Sequence, residues 1–166
     1  MASHKTPKLF LRYEGVFDFE NLYAYIREFF NNKQYDYIEK GWKEKDATPQ
    51  GREITVKMIP EKNVTEYIKY AWSVEWKSVD AHPVTVEEGG KSKKKTHARF
   101  HLHIQAELIE DWQGLGDKHS GLADFFSKYV FKRERDNEYM SALEQEAQEL
   151  LDGVQQQLGM QTTKEH

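Results

Sequence analysis

Between Thr96 and Leu108 the chain reads Thr-His-Ala-Arg-Phe-His-Leu-His-Ile-Gln-Ala-Glu-Leu, and polar and apolar side chains alternate without a break. Successive side chains of an extended strand point to opposite faces. His97, Arg99, His101, His103, Gln105 and Glu107 therefore share one face, while Ala98, Phe100, Leu102, Ile104, Ala106 and Leu108 share the other. A slip of one residue would put every apolar side chain in water, so the register is strongly specified. Glu66 to Val79 repeats the pattern, with Ile68, Tyr70, Trp72, Val74 and Trp76 on one face. Two such strands commit the chain to a sheet with a dry face and a wet face.

The remaining elements follow from local signals. Lys8 to Phe17 alternates weakly and predicts a first strand. Asp18 is suited to cap a helix, and Phe17 can staple onto Leu22. Leu22, Ile26, Phe29 and Phe30 then fall on one helical face, and Asn31-Asn32 mark its end. Tyr35 to Lys45 is rich in strand formers, Thr48-Pro49-Gln50-Gly51 has turn composition, and Ile54, Val56 and Met58 share a strand face that ends at Pro60. His82-Pro83 predicts an interruption before Val84-Thr85-Val86, and Glu87-Glu88-Gly89-Gly90 a loop running on through Lys91 to Lys95 as a basic hairpin tip. From Ser120 the period becomes helical, carrying Leu122, Phe125, Phe126, Tyr129 and Val130. After the charged interval Lys132 to Glu138, apolar residues return at Met140, Leu143, Ala147, Leu150, Val154 and Leu158. One long helix with a polar middle and two helices bent near Asp136 both fit. Residues 1–160 are expected to form a single domain and 161–166 a disordered tail.

Composition narrows the function classes. The chain has no cysteine, which excludes disulfides, thiolate metal sites and cysteine nucleophiles. Its net charge of −4 disfavours a surface devoted to nucleic acid. Aromatics make up 13% of the residues, enough for a packed core. The N-terminal stretch lacks the apolar region of a signal peptide and no apolar run approaches the ~20 residues that cross a bilayer, so a soluble, cytoplasmic protein is expected.

Three of the seven histidines lie on the wet face of the 96–108 strand. His101 and His103, two apart on one strand face, can converge on a metal ion. With Glu107 and Gly114 they match most of the first metal motif of the cupins. That motif needs a turn between the histidine pair and the glutamate, whereas Ile104-Gln105-Ala106 continues the strand and leaves Glu107 ~13 Å beyond His103. The expectation is a solvated sheet face with no metal. Neighbouring imidazoles also make that face a candidate for a response to pH. The lysines at 91–95 read as a solvated tip that blocks edge pairing, with an anionic partner as the functional alternative. No nucleophile elbow, zinc helix, phosphate loop or dinucleotide fingerprint occurs, which favours a binding protein without cofactor over an enzyme.

Strand, helix, antiparallel strands and a long final helix make an α+β order: a curved antiparallel sheet of about six strands packed on a long C-terminal helix, with one helix after the first strand. From Lys8 to Leu158 this order resembles the helix-grip plan of the START and Bet v 1-like superfamily. The resemblance implies an apolar ligand, a hydrophobic small molecule or lipid, held between sheet and C-terminal helix. Its lining would come from Tyr70, Trp72, Trp76, Phe100 and Leu102 on the strands and from Phe126 and Tyr129 on the helix. The alternative is a protein-interaction or assembly module using the C-terminal helix or the 91–95 tip.

Overall fold

The computed structural model describes residues 2–49, 51–114 and 138–159. Seven strands form one antiparallel sheet: β1 (Ala2–Lys5), β2 (Leu9–Phe17), β3 (Glu39–Thr48), β4 (Gly51–Met58), β5 (Glu61–Asn63), β6 (Ile68–Glu88) and β7 (Lys91–Glu110). Two helices accompany it, α1 (Phe19–Asn32) after the second strand and α2 (Met140–Gln157) at the C-terminal end. The fold is thus α+β, as the element order implies. None of the described helices is long and apolar enough to cross a membrane.

The frame is the β6–β7 hairpin, with strands of 21 and 20 residues. One long edge of β7 is covered twice, by β1 along 107–110 and by β2 along 96–104. Pro7 separates these two strands, and buried Thr6 bridges the gap. Its amide donates to the Ala106 carbonyl at 2.9 Å, and its hydroxyl accepts from the Ala106 amide at 3.0 Å. On the other side β6 is flanked by β5 and then by β4, which carries β3.

The alternation of 97–108 is realised as the sequence dictates. Ala98, Phe100, Leu102, Ile104, Ala106 and Leu108 are buried, each at 1% exposure or less, whereas Arg99 and His103 are exposed. Ile68, Tyr70, Trp72, Val74 and Trp76 of β6 are buried beside them. Against this inner face pack Leu22, Ile26, Phe29 and Phe30 of α1 and Leu143, Ala147, Leu150 and Val154 of α2. Each of the leucine, isoleucine, valine and phenylalanine side chains withdrawn from water contributes about 1.5–3 kcal/mol. The Asp18 side chain accepts from the Asn21 amide at 3.1 Å and caps α1.

Three expectations need correction. Among the described residues there are seven strands, not about six: β1 and β5, of four and three residues, are too short to show a period, and Val84–Val86 continues β6. The 91–95 lysines are strand and not loop: Gly89 and Gly90, at φ 58° and 78°, close the hairpin in two residues and pair Glu88 with Lys91. His82-Pro83 does not interrupt β6. The chain shifts register between Val79 and His82, and Pro83 sits where β4 has already ended, so its missing N–H is tolerated. The described C-terminal helix is short, 18 residues from Met140. The 120–137 segment expected to be helical, with Phe126 and Tyr129, and the 161–166 tail lie outside the described residues.

Candidate functional site

On the inner face, Tyr70, Trp72, Trp76, Phe100 and Leu102 are brought into one buried layer. Trp76 and Phe100 meet edge-on with centroids 4.9 Å apart, and Phe17 closes on Phe100 at 5.6 Å. Phe30 of α1 meets Trp72 edge-on at 5.1 Å. These contacts hold Trp72, Trp76 and Phe100 in defined orientations.

At the end of this layer nearest the start of α2, polar tips converge. The Tyr35 hydroxyl donates to the Glu146 carboxylate at 2.6 Å, and the Tyr70 hydroxyl donates to the Tyr139 carbonyl at 2.8 Å. Burial raises the pKa of both phenols well above the ordinary tyrosine value. The Glu146 hydrogen bond and charge push Tyr35 further, and the Glu146 charge adds to the effect on Tyr70. The Trp72 indole N–H lies toward the Tyr35 oxygen and eases its ionisation slightly. It nevertheless meets no acceptor in hydrogen-bonding geometry among the described residues. Sequence reasoning missed Tyr35 and Glu146: they lie 111 positions apart and neither breaks a local pattern.

The outer face presents Arg99, His101 and His103 on β7. Burial first, then the positive field of Arg12, His103, Arg99 and Lys77, holds the His101 imidazole below its usual pKa. Phe10, 59% exposed, lies edge-on to His103 with centroids 4.8 Å apart. Among the described residues no group of three or more histidine or acidic side chains is placed to hold a metal ion.

Where the long hairpin leaves the body, a cleft of about 610 Å³ is lined by Glu14, Asp80, His82, His97 and Arg99 among others. Its charges are mostly matched internally. The Arg99 guanidinium donates to the Asp80 carboxylate at 2.7 Å, and the His82 and His97 rings stack 5.1 Å apart. Beyond it, from Val84 to Lys95, no side chain is buried and only β6 and β7 remain, forming a two-stranded ribbon that projects from the body. No family model and no curated protein matches the chain.

Proposed function

We propose that this chain is a non-catalytic binding domain for an apolar small molecule or lipid bearing a hydrogen-bond acceptor, taken up between the sheet and the C-terminal helix. The observation that carries this reading is Trp72 Nε1, a buried donor with no acceptor among the described residues. A buried N–H left unpaired costs about 1–3 kcal/mol, and a ligand oxygen would recover it. The surroundings suit such a ligand: Tyr70, Trp72, Trp76, Phe100 and Leu102 supply apolar wall, and the Tyr35 and Tyr70 hydroxyls supply a few convergent polar groups. The resemblance in element order to helix-grip proteins supports the same placement.

Native mass spectrometry of gently purified protein tests it. The wild type is expected to carry an added small mass that the Trp72→Phe variant, folded to the same circular-dichroism spectrum, loses. An empty wild type, or equal retention by the variant, overturns the reading. An empty wild type that is a stable homo-oligomer would point instead to an assembly module, for which the projecting ribbon offers two unpaired strand edges.

A further inference from the structure

Because β7 starts at Lys91, its outward positions form one uninterrupted series. Lys91, Lys93, Lys95, His97, Arg99, His101 and His103 follow one another at every second residue, all cationic or able to become so. No carboxylate occurs on β7 before Glu107. At ~3.3 Å per residue the series is about 40 Å long, the length of roughly a dozen stacked nucleotides at ~3.4 Å each.

Neighbouring strands extend it sideways. Register places Arg12 of β2, His101, Lys77 of β6, Thr55 of β4 and Lys43 of β3 in one row across the sheet, with no acid among them. Carboxylates do face the series. Glu88 engages Lys93 and Lys95, Asp80 engages Arg99, Glu53 engages Lys77, Glu14 is paired in register with Arg99, and Glu75 with His103. Arg12, Lys43 and Lys91 meet no carboxylate within ion-pair distance among the described residues. The outer face therefore keeps a positive surplus in a chain whose net charge is −4. A segregated positive line, against an acidic remainder, is complementary to a linear polyanion.

We infer that a single-stranded nucleic acid binds along the outer face of β7. Its phosphates lie on the lysine, arginine and histidine series, and a base stacks on the exposed Phe10 ring beside His103. An open sheet face with an exposed ring favours an unpaired strand, whose bases are free to stack, over a duplex. Recognition is of the phosphate backbone and so is largely independent of sequence.

Fluorescence anisotropy of the full chain with labelled oligo(dT) or oligo(rU), read across a salt series, is the test. Binding is expected to tighten with length up to roughly a dozen nucleotides and to weaken with salt. A log–log slope near −3 corresponds to four or five phosphate contacts at ~0.7 each. Replacing Lys91, Lys93 and Lys95 together by Gln, in a ribbon without buried side chains, should weaken binding at least tenfold and flatten the slope by about 2. Arg27→Gln, on an exposed position of α1, should leave it unchanged. The bound strand should also raise the His101 pKa in an NMR titration, because nearby phosphate favours the protonated ring. Failure to bind at low salt, a triple variant that binds like wild type, equal binding of duplex, or binding to anionic phospholipid vesicles in place of the strand would each overturn the inference.

Discussion

Ser78 shows how much one buried polar atom decides. It continues the inner-face series of β6 and is wholly buried, and its hydroxyl oxygen accepts from the equally buried Trp76 indole N–H at 2.6 Å. Ser78→Ala would strand that donor, and we expect a loss of about 1–3 kcal/mol in urea denaturation. An unchanged midpoint would mean that the indole finds another acceptor. Phe100 and His101 mark the other lesson at this scale. Neighbours in sequence, they fall on the buried inner face and the half-buried outer face respectively, as the alternation alone assigned them. Trp72 gives no such cue: nothing in its own strand tells that its buried indole N–H meets no acceptor among the described residues.

Between elements, the contact of α1 with α2 turns on Gly153. A Cβ there would come within 1.8 Å of the Tyr25 hydroxyl. Alanine in a helix interior normally gains about 1 kcal/mol over glycine. Here Gly153→Ala forces the Tyr25 ring aside, so that gain of about 1 kcal/mol is expected to be cancelled, and Tyr25→Ala in the same chain should restore it. A double-mutant cycle in thermal melts measures the coupling, and additive effects would contradict the close approach. The ribbon behaves oppositely. Joining Pro83 to Thr96 through Asn-Gly removes only unburied residues, so the melting temperature should stay within a few degrees of wild type. A collapse in stability would show that the ribbon is part of the core.

For the molecule as a whole, the buried phenols set an alkaline limit. Burial foremost raises Tyr35, Tyr37 and Tyr70, with Glu146 adding to Tyr35 and Tyr70, and Tyr23 adding to Tyr37. A group whose folded pKa exceeds its unfolded value stabilises the fold in full below the unfolded pKa, about 10 for tyrosine, and loses that contribution as pH rises above it. Urea midpoints should be level from pH 7 to 9 and fall steeply above about 10, with a shallower fall in Tyr35→Phe. A flat profile to pH 12 would contradict the buried state of these rings. Charge is also arranged at this scale. The −4 total conceals an outer sheet face with surplus cations, which no sum over the chain reveals.

The sequence by itself determined the two long strands, the face each residue of 97–108 takes, the capped helix after Phe17 and the stripe that α2 buries, because each is set by periodicity within a dozen residues or a side chain beside its own backbone. Only the tertiary structure decided that Lys91 to Lys95 belong to β7 and align with the histidines beyond them. Two glycines close the hairpin, and loop composition cannot be told from strand until the partner's register is known. The meeting of Tyr35, Tyr70, Trp72 and Glu146 was equally beyond local reading, since it joins β6, the segment after α1 and the final helix. Its cause is the packing of both helices on one sheet face.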